Sequence, residues 1–171
     1  LNQDPDSETH SELTALLTAA KNGDEKAHAE LQARFSDRLQ FGTAGLRGPL
    51  QAGSMGMNRV LVAQAAGGLA DYLKDYDKQP SIVIGYAGRK NSDVFERDTA
   101  EIMAGAGVQA YLLTRKFHPP VLAYENQSFD STAGVMVNAR LNPPADHGYN
   151  VFLGKGTGGG QIGSSSVIDY V

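Results

Sequence analysis

Residues 80–92 read PSIVIGYAGRKNS. After Pro80 an unbroken apolar run, Ile82 to Ile84, ends at Gly85 in a loop carrying Arg89 and Lys90, and Ser92 is placed to cap a helix. A short apolar run without alternation fits a strand covered on both faces, as in the parallel sheets of α/β proteins. Working forward, a helix is expected from Ser92 through Phe95, Ile102, Met103 and Ala106, stopped by Gly107. Residues 108–113 read as the next strand. Pro119-Pro120 opens a short helix through Val121, Leu122 and Tyr124, and 132–137 is a third strand. Strand–helix–strand–helix–strand predicts three parallel strands with right-handed crossovers. In such sheets ligands sit beyond the C-terminal strand ends, where loops 85–92 and 138–149 emerge.

Working backward, Asp4-Pro5 reads as an N-cap and first helical residue. Leu13, Leu16, Leu17 and Ala20 recur with helical period, and Gly23 ends the helix. Asp24 caps a second helix whose inward face is Ala27, Leu31 and Phe35. This hairpin, residues 1–36, is expected to pack outside the sheet as an N-terminal extension. Residues 36–56 lose helical period and read as extended chain broken by Gly42, Gly45 and Gly48. Met57-Asn58 opens a long helix with a wide stripe of Leu61, Ala65, Leu69 and Tyr72. Gly67-Gly68 inside it costs roughly 1 kcal/mol per Gly against Ala, which predicts an element crossing closely there. A last short strand, 150–153, leads into GKGTGGGQIGSSS, a flexible loop by composition. The expected fold is an α/β three-layer domain over 37–171. Its mostly parallel or mixed sheet is flanked by helices, with the helical hairpin in front.

The 171 residues are 41% hydrophobic and 20% charged with a net charge of −4, the composition of a globular domain. The acidic balance argues against nucleic-acid and anionic-membrane partners. There is no Cys, so no disulfide, thiolate metal site or Cys nucleophile, which suits a reducing cytoplasm. No apolar run approaches the roughly 20 residues that span a bilayer. LNQDPDSETH reads as neither a signal nor a transit peptide. The sequon Asn126-Gln127-Ser128 reads as a chance match.

Residues 41–48, FGTAGLRG, combine three glycines with the Thr43 hydroxyl and the Arg47 guanidinium. Gly-rich backbone can cradle an anion and Arg can grip a phosphate bidentately, but a tight turn with a solvent-facing Arg fits the same residues. Arg89 and Lys90 at a strand end fit a phosphate contact or a charged rim. The 154–160 stretch fails the P-loop pattern: Lys155 is followed by Gly156, and Gly148 lies one residue too far upstream. The four His, at 10, 28, 118 and 147, show no metal spacing. Asp146 and His147 could form an acid–base pair, against a solvated turn as the plainer reading. His118 reads as leading into the short helix.

Several blocks together resemble the N-terminal domain of the α-D-phosphohexomutase superfamily, of phosphoglucomutase/phosphomannomutase type. They are DPDSET near the start, FGTAGLRGPLQAGSMGMNRV at 41–60, IGYAGRKNSDVFERDTAE at 84–101, PPVLAYE at 119–125 and AGVMVNARLNPPADHGYNVFLG at 133–154. The resemblance implies a four-domain enzyme whose first-domain phosphoserine exchanges a phosphoryl group with a hexose phosphate through a bisphosphate. Positioning and charge neutralisation dominate such transfer.

The same resemblance implies the site. The family's Thr-Ala-Ser-His-Asn-Pro loop falls on 138–143, so the phosphoserine position is Arg140 and the histidine position Leu141. A lysine position falls on Asn150, and the Asp of the family's Gly-Tyr-Asp falls on Ala87. Thr43, Arg47, Arg89 and Asn142 remain as phosphate or substrate contacts. Arg140 has no hydroxyl to carry a phosphoryl group and stays protonated. Mg²⁺ is implied for the family through a domain expected to be absent here, along with the third and fourth, and none is expected for this chain alone. The expectation is a cytoplasmic domain that meets hexose phosphate (glucose 1-phosphate, glucose 6-phosphate) and is inactive by itself. A non-catalytic sugar-phosphate-binding or interaction module is the alternative, and oligomeric state is left open.

Overall fold

The computed structural model describes residues 4–42, 45–113, 122, 124–125, 128–138 and 145–154. Helices α1 (Ser7–Lys21) and α2 (Glu25–Phe35) form the expected hairpin. The cap of α1 is Asp6, not Asp4: its side chain accepts from the Glu8 N–H at 2.8 Å. Asp4 instead takes the Asp6 N–H (3.0 Å) and the Thr9 hydroxyl (2.7 Å), so Asp4-Pro5 forms a turn before the helix. Asp24 caps α2 as expected.

The inward face of α2 differs from the apolar reading. Ala27 and Arg34 are buried and Phe35 is 49% exposed. Arg34 turns inward because its guanidinium is satisfied there. It meets Glu12 at 2.8 Å and Glu30 at 2.7 Å, and reaches the Ala52 carbonyl at 3.4 Å. Glu12 also accepts from the Ala52 N–H (3.0 Å), and the Arg34 carbonyl from the Met55 N–H (3.0 Å). The hairpin is therefore bolted to the 51–56 segment rather than loosely appended.

Strand β1 (Leu46–Pro49) leads through that segment to α3 (Arg59–Tyr76). Asn58 is buried at the junction. Its Oδ1 caps α3 at Leu61 N (3.0 Å), and its amide donates to the carbonyls of Gln51, Gly53 and Gly56. Next come β2 (Ser81–Tyr86), α4 (Ser92–Gly105), β3 (Gln109–Leu112), β4 (Ala133–Val137) and β5 (Asp146–Leu153). The five strands form one mixed sheet in the order β1–β5–β4–β2–β3. β2 is parallel to both β3 and β4, as its apolar run predicts, whereas β5 is antiparallel to β4 and β1. β5 starts at Asp146, earlier than the expected 150, because residues 146–149 pair with β1.

Alternate residues of β2 and β4 serve opposite faces, and both faces are covered. Ile82, Ile84, Val135 and Val137 share a core with Leu61, Val62, Ala65 and Leu69 of α3 and with Phe95 and Met103 of α4. Val83 and Met136 face the other way with Leu122. The short helix at 119–124 falls largely outside the described residues. Arg59 holds α3 against α4 through two 2.7 Å bonds to the Asp98 carboxylate. Among the described residues no element crosses at Gly67, where a Cβ would meet nothing within 4 Å, whereas Gly68 beside it is buried. No helix is long and apolar enough to cross a membrane among the described residues.

Tyr149 is fully buried in this core, and its hydroxyl lies beside the Thr99 hydroxyl without a hydrogen bond of good geometry among the described residues. Burial pushes the phenol pKa above its ordinary value. The Thr99 hydroxyl alongside donates to the Phe95 carbonyl (2.7 Å). An orphaned buried hydroxyl carries a desolvation penalty without return. Tyr149→Phe is therefore expected to be neutral or to stabilise by up to about 1 kcal/mol in urea unfolding. A clear loss of stability would show that the hydroxyl is bonded.

Candidate functional site

The candidate site gathers at the C-terminal ends of β2 and β4. The last β2 residue, Tyr86, pairs with Val137, and the Ala87 N–H donates to the Val137 carbonyl (3.1 Å). The chain then turns through Arg89 and Lys90 to Asn91, which adopts φ 62 before α4. Asn91 caps α4 by position but makes no side-chain cap bond. Ser92, expected as the cap, is the first helical residue, and its hydroxyl is 2.9 Å from His147 Nε2.

The antiparallel β1–β5 ribbon continues past the ends of the parallel strands. Arg47 lies opposite Gly148 and Gly48 opposite His147. The Gly148 carbonyl in turn accepts from the Asn138 N–H (2.9 Å), the last described residue before 139–144. Gly42 and Gly45 exchange hydrogen bonds of 3.1 and 3.0 Å, so they bracket 43–44. Gly45, at φ +80, lies so close to the Tyr149 carbonyl that a Cβ would sit 2.2 Å from its oxygen. The FGTAGLRG stretch and the two flanks of the 139–144 loop are thereby brought side by side. Thr43, Arg140, Leu141 and Asn142 lie outside the described residues, as does His118.

Of the remaining residues singled out in the sequence, Arg47 sits on β1 beside Gly148. Arg89 reaches across with Nη1 to the Asp146 carbonyl (3.0 Å), tying the β2 loop to the start of β5. Lys90 points away, to Glu8 of α1 at 2.6 Å. Asn150 is buried within β5, and its amide donates to the carbonyls of Asn138 (2.8 Å) and Met136 (3.3 Å). It clamps the exit of β4 and offers no charge to a ligand.

His147 corrects the sequence reading. It is fully buried, not part of a solvated turn. Phe95 packs edge-on against its ring at 5.0 Å. Burial, before all else, lowers its pKa, and Arg89 acts in the same direction. Both ring nitrogens are engaged: Nδ1 takes the Gly148 N–H (2.9 Å) and Nε2 meets Ser92. A neutral, occupied imidazole cannot serve as the acid–base partner of Asp146. A signal was present in the sequence. His147, Tyr149 and Val151 alternate as one face of a strand, which places the histidine indoors. Among the described residues no group of three or more His, Asp or Glu could hold a metal ion, so the Mg²⁺ implied by the resemblance finds no fitting donors there.

Residues 38–165 match the family described as phosphoglucomutase/phosphomannomutase, alpha/beta/alpha domain I. The chain belongs to this family. A Haemophilus influenzae protein described as a "probable phosphomannomutase" is 78% identical over 108 residues, covering 63% of this chain and 22% of that relative. The phosphoribomutase of Saccharomyces cerevisiae is 37% identical over 158 residues, covering 90% of this chain and 24% of the yeast protein. This phosphoglucomutase/phosphomannomutase domain thus spans about a quarter of the length of the curated relatives it matches. A crystal structure of a Thermus thermophilus protein superposes with a TM-score of 0.68 at 24% identity, over 77% of this chain and 29% of that one. A phosphoglucomutase/phosphomannomutase family protein from Burkholderia thailandensis gives 0.62 at 15% identity, over the same shares. These two likenesses bear on the fold alone.

Proposed function

We propose that this chain binds a hexose phosphate at the C-terminal sheet edge, as the first-domain portion of a phosphoglucomutase/phosphomannomutase-type protein, and that alone it transfers no phosphoryl group. The observation that carries the reading is the strand order. β1 pairs with β5, so Arg47 stands opposite Gly148, which holds Asn138 at the entrance to the 139–144 loop. A planar guanidinium beside a Gly-rich turn suits two oxygens of a tetrahedral phosphate monoester. Arg89 frames the same edge through Asp146. Thr43 and Asn142 are assigned as further phosphate or sugar contacts.

Inactivity rests on residues 140 and 141. A phosphoryl carrier needs a hydroxyl, and Arg140 offers only a permanent cation. Leu141 has no proton to give or take. With Asn150 committed to backbone carbonyls, the positions that the resemblance marks for transfer offer no group to pass a phosphoryl on. Glucose 1-phosphate and glucose 6-phosphate are the ligands assigned, in the cytoplasm. The start of the family match at residue 38 supports reading 1–36 as an extension and the remainder as the domain.

Two measurements test this. In a coupled mutase assay the chain is expected to show no turnover of glucose 1-phosphate, and the double replacement Arg140→Ser, Leu141→His is expected to gain none. Turnover by the chain as it stands would overturn the inactive reading. Calorimetry with glucose 6-phosphate is expected to show binding that weakens about tenfold or more in Arg47→Ala, the loss of one charge-assisted pair. Equal binding in that variant would remove Arg47 from the site.

A further inference from the structure

We propose that the buried Ser92–His147 pair is a positioning device that sets the backbone of the anion-binding edge, holding Gly148 and Asn138 in the arrangement a phosphate meets. The inference rests on the phosphate-binding reading for its ligand, but its geometry stands independently. Gly148 is the junction. Its N–H donates to His147 Nδ1 (2.9 Å), its carbonyl accepts from Asn138 (2.9 Å), and Arg47 lies across from it on β1. Nδ1 faces both groups of the Gly148 peptide, the N–H at 2.9 Å and the carbonyl at 3.4 Å, and the shorter contact assigns it the lone pair. The ring proton then sits on Nε2 and is donated to the Ser92 hydroxyl at 2.9 Å.

This neutral tautomer keeps the shorter Gly148 bond together with the Ser92 bond. A proton on Nδ1 would set two donors against each other at the 2.9 Å contact and leave only the longer 3.4 Å approach to the Gly148 carbonyl. The release would pass to Asn138 on one side and to the strand carrying Arg47 on the other. Phe95 packs on the ring and the Lys90 backbone adjoins it. Among the described residues Arg89, from the loop after β2, is the charged group that acts on the ring, Asp146 is its neighbour in β5, and Gly48 on β1 brings none. Arg89 disfavours a second positive charge on the ring. The device is thus locked neutral at ordinary pH and opens in acid. As the pH falls through the ordinary histidine range, the unfolded chain takes up a proton that the folded site refuses, so the edge loses stability.

Nuclear magnetic resonance of the whole chain provides the test, with inorganic phosphate and glucose 6-phosphate as probes. Imidazole ¹⁵N shifts are expected to show His147 protonated at Nε2 only. An Nδ1–H tautomer overturns the proposal without any variant. In Ser92→Ala, amide exchange at Gly148 and Asn138 is expected to quicken by about tenfold or more while β2 core amides stay protected. Affinity for either probe is expected to drop several-fold, and the wild-type fall in affinity between about pH 7 and pH 5, corrected for the ligand's own ionisation, is expected to vanish. Unchanged exchange at both amides overturns the positioning role. If the wild type binds neither probe, the phosphate reading fails, and the exchange result still decides the device. Arg47→Ala separates the two ideas, since it is expected to weaken binding about tenfold or more and leave the Gly148 exchange untouched.

Discussion

Gly45→Ala is expected to destabilise the chain by roughly 3–5 kcal/mol, lowering Tm by about 10 °C or more, and to abolish sugar-phosphate binding. Two independent penalties combine. Gly45 adopts φ +80, a region that L side chains rarely occupy. A Cβ built there would stand 2.2 Å from the Tyr149 carbonyl oxygen and 3.0 Å from Asn150 Cα. Both are backbone atoms of β5, the second strand of the sheet, and cannot swing aside as a side chain could. Relief must come from parting β1 from β5, which moves Arg47 away from Gly148. A matched control is Gly67→Ala. A Cβ at Gly67 meets nothing, and replacing an open helical glycine gains roughly 0.5–1 kcal/mol. Thermal melts of the two variants should move in opposite directions. A Gly45→Ala melt within a degree or two of wild type would mean that the β1–β5 contact is looser than described.

Glu96→Gln is expected to stabilise the chain by about 2 kcal/mol at pH 8 and to change little at pH 4. Glu96 lies on the buried side of α4, and its Oε1 has no partner among the described residues. Burial, followed by the charge of Asp93 and opposed by Arg97, raises its pKa from 4.5 to about 7. The direction of the effect follows from which state holds the proton. Below about 4.5 the carboxyl is protonated both folded and unfolded, so there is no penalty. As the pH rises toward 7 the unfolded chain ionises first, and folding must retain the proton at increasing cost. Above about 7 the penalty is complete. Glutamine mimics the protonated acid at every pH, so the difference between variant and wild type in urea unfolding should grow from near zero to its full size across that window. A difference independent of pH would show that Glu96 ionises freely in the folded chain.

Several parts of the molecule were legible before any coordinates. The run at 82–84 announced a strand covered on both faces, and Val83 and Ile84 do serve opposite cores. Asp24 is legible as a helix cap, and Met57-Asn58 as the opening of a helix, because capping is local, a side-chain oxygen meeting an N–H two or three residues on. The family could be read from the order of its blocks. Phe35 is exposed, against the expectation, because helical period says which residues share a face and is silent on which face has a partner. Glu12 and the Ala52 carbonyl made the Arg34 side the better one to bury. Ser92 was read as a cap because nothing adjacent in sequence reveals a histidine 55 positions later taking its hydroxyl.

The sequence by itself determined most of the described secondary elements and the α/β class. These depend on periodicity, capping and residue chemistry, all expressed within a few residues. Only the tertiary structure decided that β5 runs antiparallel between β4 and β1, that His147 is buried against Ser92, and that Arg47 meets the flank of the 139–144 loop. Strand partners are chosen by the burial of both sheet faces over chain separations of about a hundred residues. No local pattern carries that choice, because its energy exists only once the layers have closed.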